Sequence, residues 1–390
     1  MLFLSFFMQF VALIFSYIDI NRNITLSLII IIIANIIQST IVIKNLCFYK
    51  KNKEISRDIY KKIIFIIAMN IIFIITHVIN NSFKFIEFIK FNYYIIYNFI
   101  IIYTCINLYI KSNFKNKKKL INLYILIVKV NIIFASIQFL FNAFLGVKLE
   151  LFYQVTRYGE VFRPCGFLGE PAHLGLLVFA LVGLENKYII KNSLIIIITF
   201  VTLLLTGSSI NLIVSVLIII KFLSCQNKKY KKIVLIVLAI VGVCFLKGLF
   251  PQQFERYTKS FKNIEGVDGS TMIRVYKTQI VYKQIPRVQK IVGYGIDNNN
   301  YINHLSSKDY SLFSDNLEYF SGVGQEIIYL GMIQFLLLNI FYYKFIGKKN
   351  FYLFFSFEIL RIGSSISYSS SIIPMIIIIS QLSNKEKCNE

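Results

Sequence analysis

Apolar runs separated by short basic connections set the pattern of this chain. They fall at 2–18, 24–44, 62–80, 92–110, 121–145, 167–185, 193–207, 209–224, 233–249, 322–344, 351–365 and 367–382. Most are near the ~20 residues that a helix needs to cross ~30 Å of hydrocarbon. The pattern predicts an all-α, polytopic integral membrane protein of about twelve transmembrane helices, one membrane domain over 1–390. The last two runs are short enough to form a single bent or re-entrant element instead.

Charge placement orients the runs. Lys50, Lys51, Lys53, Arg57, Lys61 and Lys62 follow the second run. Lys115 and Lys117 to Lys119 follow the fourth, Lys228, Lys229, Lys231 and Lys232 the eighth, and Lys344, Lys348 and Lys349 the tenth. With strict alternation all four groups share one side, which the positive-inside rule makes the cytoplasm. Both termini then lie inside, and the expected location is the cytoplasmic (inner) membrane. The first run lacks a basic start and a small-residue cleavage site, so it reads as a retained helix.

Composition agrees with this picture. Of 390 residues 56% are hydrophobic and only 16% charged, against about 25% charged in soluble chains. The net charge of +23 resides largely in loops between apolar runs, so it marks topology and membrane lipid rather than nucleic acid. Abundant Ile, Asn and Lys with no Trp reads as nucleotide bias of an AT-rich genome. Six cysteines, at 47, 105, 165, 225, 244 and 388, have neither metal-ligand nor disulfide spacing.

Two connections on the outer side are long. One spans about 147–166, the other about 250–321. The second far exceeds the ~12–15 residues at which an unstructured connection becomes unusual. Residues 270–284 have apolar positions near helical spacing, predicting a helix on the membrane surface, and Pro286 and Gly293-Tyr294-Gly295 break it. Long ordered loops on a rigid scaffold are where function concentrates.

The candidate chemistry gathers at Arg163-Pro164-Cys165-Gly166-Phe167-Leu168-Gly169-Glu170-Pro171-Ala172-His173. Pro164, Gly166 and Gly169 argue against a continuous helix, whereas Glu170 followed by Pro171 reads as a helix start. The positive end of that helix, with Arg163 upstream, makes an outward-facing site for an anion such as phosphate. His173 stands at i+3 from Glu170, on the same side of the first turn. Taken singly, each has a structural reading: Arg163 as an interfacial anchor, Glu170 as a partner of the helix dipole, His173 as an interhelical hydrogen bonder.

Arg274 on the surface helix is a further candidate, balanced by a reading as a solvated face. Arg256 lies in the same loop. His304 has no partner at metal-ligand spacing, so no metal is expected. Lys129 lies inside the fifth run, and Glu358 and Arg361, at i and i+3, are expected to pair. There is no Gly-rich nucleotide loop and no Ser-centred elbow, so no cofactor is expected.

These residues resemble a known family, the O-antigen and capsule repeat-unit polymerases (Wzy-type), relatives of the O-antigen ligases among GT-C-type membrane glycosyltransferases. Arg163-x-x-Gly166-Phe167-x-x-Glu170-Pro171-x-His173 is similar to the family's Arg-x-x-Gly-Phe-x-x-Glu-Pro signature. Leu205-Thr206-Gly207-Ser208 is similar to its Leu-Thr-x-Ser turn. Ser270 to Arg274 with Gly293-Tyr294-Gly295 resembles its large-loop Arg and Gly-x-Gly, and Ile327 to Ile333 the start of the next helix. There are departures: Ser209-Ile210 follows the turn where relatives often carry Arg. The His that ligases place about a dozen residues before Gly331 is missing from Tyr319-Phe320-Ser321-Gly322, which favours polymerase over ligase.

The resemblance implies a GT-C-like fold with short helices in the large outer loop. It implies a metal-independent, inverting transfer between polyprenyl-pyrophosphate-linked oligosaccharides, which act as donor and acceptor. It implies catalytic roles for Arg163, Glu170, His173 and Arg274, and substrate contacts from Gly166, Pro171, Arg256 and Ser208. A flippase and a chain-length regulator are the partners expected. Ligase-type transfer and lipid-linked glycan transport are the alternatives. Transport would favour inverted repeats and mid-membrane charges, whereas here breakers and charges gather at outer helix ends. An acyltransferase reading would rest on His77, near the outer end of its run.

Overall fold

The computed structural model describes residues 1–12, 14, 19–21, 24–48, 53–80, 83–112, 114–149, 163–168, 170–225, 271–296, 299–307, 309–310, 320–370 and 372–383. The predicted run at 233–249 and the loop segment 250–270, with Arg256, lie outside them. Apart from a small antiparallel ladder of β1 (Asp19–Asn21) and β2 (Ile24–Thr25), the regular structure is helical.

In chain order the helices are α1 (Leu2–Ala12), α2 (Leu26–Phe48), α3 (Lys53–Ile79), α4 (Phe85–Ser112), α5 (Phe114–Leu145), α6 (Pro171–Gly183), α7 (Asn186–Lys191), α8 (Ser193–Leu205) and α9 (Ser209–Cys225). After the undescribed segment come α10 (Thr271–Gln284), α11 (Arg287–Val292), α12 (Gly322–Gly347), α13 (Phe351–Gly363) and α14 (Ile372–Leu382). The predicted surface helix is therefore α10, and Pro286 caps the start of α11. Among the described residues four helices are long and apolar enough to cross a membrane: Lys62–Ile79 within α3, α4, Lys115–Leu145 within α5, and α12. The shorter apolar helices run 10–17 residues, or roughly 15–26 Å.

Two of these helices contain π turns, three in all among the described residues. Tyr97–Ile102 in α4, and Glu326–Leu330 and Tyr343–Gly347 in α12, wind as π turns. Such turns shift the register of the side chains beyond them and are frequent at functional sites.

The chain gathers into two compact units, interleaved in sequence. The first comprises 1–34, 112–262 and 382–390. Leu174, Leu177 and Val178 of α6, Leu203 of α8 and Val214 of α9 are wholly buried in it. Tyr124 of α5 donates its hydroxyl to the Leu177 carbonyl at 2.8 Å.

The second comprises 35–111 and 263–381. Its core holds Phe99, Tyr342, Phe345 and Phe357, and Ile373 and Ile376 to Ile379 of α14 are buried around the helix. A helix apolar on all sides has its place inside. The described part of the large loop packs Val281, Ile285, Tyr294, Tyr301 and Phe320 against Ile328 of α12 in a small core.

Candidate functional site

In the first unit the signature around Arg163 meets the Thr206 turn. Arg163 donates its Nε–H to the Thr206 carbonyl at 2.9 Å, which fixes the half-buried guanidinium by one of its five N–H donors. Gly207, at φ 62°, supplies the left-handed step that reverses the chain between α8 and α9. Ser208 is buried, and its N–H reaches the Thr206 hydroxyl at 3.4 Å. Its described role is thus to close the turn.

Asn211, one turn into α9, joins this turn to the start of α6. Its Nδ2 donates to the Pro171 carbonyl at 2.7 Å and to the Thr206 Oγ1 at 2.8 Å. Gly175 makes room for it: a Cβ there would overlap the Asn211 amide. A small residue lets two helices approach closely, and the amide supplies the polar adhesion.

Gly166 is held from the other side. Its N–H and that of Cys165 donate to Gln138 Oε1 at 2.9 and 3.1 Å. Asn131 Oδ1 accepts the Phe167 N–H at 3.3 Å. At φ 69°, with Asn131's carbonyl 2.9 Å from where a Cβ would be, the position suits glycine alone. Phe167 stacks on Phe134, ring centroids 4.4 Å apart.

Glu170 occupies the extended N-cap position of α6, and Pro171 the first helical position, as the sequence predicts. The Glu170 side chain makes no cap hydrogen bond. His173 donates its backbone N–H to the Glu170 carbonyl at 3.1 Å, and its ring feels the Glu170 charge. Arg163, Glu170, Pro171 and His173 thus belong to one locality, tied together through Thr206 and Asn211. Such a locality can hold an anion against a guanidinium and a helix start while keeping a carboxylate and an imidazole at hand.

Asn131, Gln138 and Asn211 were missed by motif reading. Their signal was present: each is an amide inside an apolar run, and Asn131 and Gln138 are spaced i and i+7, on one helix face.

Arg274 belongs to the second unit, on α10. Its carbonyl accepts the Thr278 hydroxyl at 2.8 Å, and that hydroxyl lies 3.3 Å from Ser321 Oγ, the N-cap of α12. Lys277 beside it is buried, its ammonium 4.5 Å from the centroid of Phe320.

Two further segments of the resemblance meet here. The N–H groups of Tyr294 and Gly295 donate to the Ile328 and Tyr329 carbonyls at 3.0 and 2.8 Å. Asn80 of the α3 terminus donates to the Gly293 carbonyl at 2.9 Å. His77 has both ring nitrogens engaged by backbone: Nδ1–H donates to Phe73 O at 2.8 Å, and Nε2 accepts the Ile296 N–H at 3.2 Å. This fixes a neutral ring in a structural role. His304 is exposed.

The charges of the second unit include a triad the sequence half foretold. Glu358 and Arg361 pair as expected, at 2.6 Å, but Arg361 also binds Glu326 of the α12 π turn. Arg361 and Glu326 are essentially inaccessible to solvent. Among the described residues no three His, Cys, Asp or Glu side chains gather as a metal site requires. No family model matches the chain, and no curated protein or solved structure matches it either.

Proposed function

We propose that this chain is a membrane glycosyltransferase that polymerises lipid-pyrophosphate-linked oligosaccharide repeats into a surface polysaccharide, O-antigen or capsule. The reaction takes place on the outer side of the cytoplasmic membrane. The observation that carries the reading is the hydrogen bond from Arg163 to Thr206, which brings two separate family-like motifs together beside a helix start. In this reading the apolar runs make about twelve membrane helices of GT-C-like arrangement with both termini inside. Each described run coinciding with a helix supports it.

In the reaction, an acceptor hydroxyl attacks C1 of the donor sugar while the C1–O bond to pyrophosphate breaks. Polyprenyl pyrophosphate leaves with the bonding electrons. Such a leaving group needs charge stabilisation more than protonation, which Arg163 and the α6 start supply within the first unit; Arg274, in the second unit, is a separate cation that the resemblance implies. The hydroxyl proton passes to Glu170 or His173, an assistance typically worth ~10²–10⁴-fold. Gly166 and Pro171 shape the mouth of the site.

Complementing a deletion strain with Arg163→Ala, Glu170→Gln, His173→Ala and Arg274→Ala tests the site. Short or absent polymer is expected with Arg163→Ala, and normal chain length in all four would remove the proposal. Transport of lipid-linked glycans is the second reading, favoured by the buried ion pair between Glu326 of the membrane-length α12 and Arg361 of the neighbouring α13. In a deletion strain, translocated but unpolymerised single repeats point to the polymerase, and lost translocation to the transporter.

A further inference from the structure

The second unit contains a cavity of about 220 Å³ at the Gly322 end of α12, opposite its basic end at Lys348. Its lining includes Asn299, Gln325, Tyr329, Ser367, Tyr368 and Ser369. These side chains offer amides, hydroxyls and two aromatic rings, and among the described residues no charged side chain lines it. The volume corresponds to roughly seven waters, the scale of one sugar ring with its hydroxyls rather than of a chain.

The wall is built from two irregular elements. One side is the π turn Glu326–Leu330, which brings Tyr329 and Leu330 to the cavity. The other is the serine-rich connection 364–370, a non-helical stretch with a turn at Tyr368–Ser369 between α13 and α14. Non-helical backbone at the end of apolar helices is tolerated where its polar groups are satisfied or line a polar space.

That connection is fixed at both backbone atoms of Tyr368. Its N–H donates to Glu326 Oε1 at 3.0 Å, and its carbonyl accepts Asn98 Nδ2 at 3.2 Å. The Tyr368 ring is held edge-on by Phe91, centroids 5.4 Å apart. Glu326 is itself fixed by Tyr342 and Arg361. Tyr329 donates its hydroxyl to Asn299 Oδ1 at 3.2 Å, and the Ser367 and Ser369 hydroxyls lie 3.2 Å apart. A wall held this firmly loses little freedom when something binds against it.

We propose that this cavity binds one neutral pyranose ring of the glycan substrate. Amides and hydroxyls match sugar hydroxyls in both donating and accepting roles, and tyrosine rings suit the apolar C–H face of a pyranose. Anions are disfavoured, because behind the wall one guanidinium faces two carboxylates, Glu326 and Glu358. The site is therefore chemically distinct from the cationic mouth at Arg163, and it gives the enzyme a sugar-selecting contact. The proposal rests on the reading of the chain as a glycan transferase.

Saturation-transfer NMR on the purified full chain in detergent tests it, using a panel of methyl pyranosides with inorganic pyrophosphate as the anionic comparator. At least one pyranoside should receive saturation and pyrophosphate should not displace it. Ser369→Trp, which fills the cavity, should abolish the signal. Asn299→Ala and Gln325→Ala should each weaken binding roughly two- to tenfold, the loss of one neutral hydrogen bond, and these milder changes decide the matter if the Trp variant does not fold. No saturation from any pyranoside, displacement by pyrophosphate, or a signal indifferent to all three substitutions would overturn the proposal. Binding needs no turnover, so Arg163→Ala should retain it. Absent binding with polymer lost in Arg163→Ala defeats the cavity alone. Retained binding with polymer unchanged in that variant defeats the enzyme reading alone.

Discussion

Arg163 donates its Nε–H to the backbone carbonyl of Thr206, 43 residues along the chain, at 2.9 Å. A lysine at 163 would keep the charge but lose the planar fork that binds a carbonyl while presenting further donors to a phosphate. Arg163→Lys is therefore expected to restore little of the polymer lost in Arg163→Ala, each falling on the order of 10²-fold or more in rate. Comparing polymer formation by the two variants at equal membrane abundance checks this.

Asn211 and Gly175 form a matched pair. Gly175→Ala places a methyl group against the Asn211 amide and should lower stability by about 1–3 kcal/mol. Asn211→Ala removes hydrogen bonds to Pro171 and Thr206 and should also destabilise. The double variant should be more stable than the sum of the single losses implies, because the collision is gone. Thermal unfolding of the four proteins in one detergent measures the coupling.

The Glu326–Arg361–Glu358 triad predicts an asymmetry. Arg361→Met leaves the Glu326 carboxylate buried without its guanidinium, at a cost of about 3–5 kcal/mol. Adding Glu326→Gln to it should recover part of that loss. If the double variant melts below Arg361→Met, the triad does not hold the fold in this way.

Tyr294 carries a pH prediction. Burial pushes its phenol up to about 12 from its ordinary value near 10. The neutral ring is thus the form the fold favours. Its contribution is fully present below about pH 10 and is lost as pH rises towards 12. Tyr294→Phe should make unfolding less sensitive to pH in that window and leave the pH dependence below it unchanged. Melting temperatures of both proteins between pH 8 and about 12 test the sign.

The positions of helices were legible because apolar runs and breakers are local signals. Pro171 after Glu170 located the start of α6, and the i, i+3 spacing of Glu358 and Arg361 foretold their pair. Glu326 was not legible as their third member, since it is 35 residues from Arg361 and a π turn aims it. Likewise the two-unit division depends on contacts between segments far apart in sequence, which periodicity does not encode. Asn131, Gln138 and Asn211 were visible as polar outliers, but their partners are backbone groups of distant turns. The cavity's serine connection, 364–370, was not legible, because Ile366 and Tyr368 let it merge into the short apolar runs 351–365 and 367–382.

The central claim is glycosyl transfer by the full chain, and reconstitution measures it directly. Purified protein in proteoliposomes would receive a defined polyprenyl-pyrophosphate-linked repeat from the strain that makes it. The account predicts a ladder of longer lipid-linked glycans with one polyprenyl pyrophosphate released per repeat added, and loss of the ladder in Arg163→Ala. Translocation of intact repeats across the bilayer with no ladder and no release would contradict it.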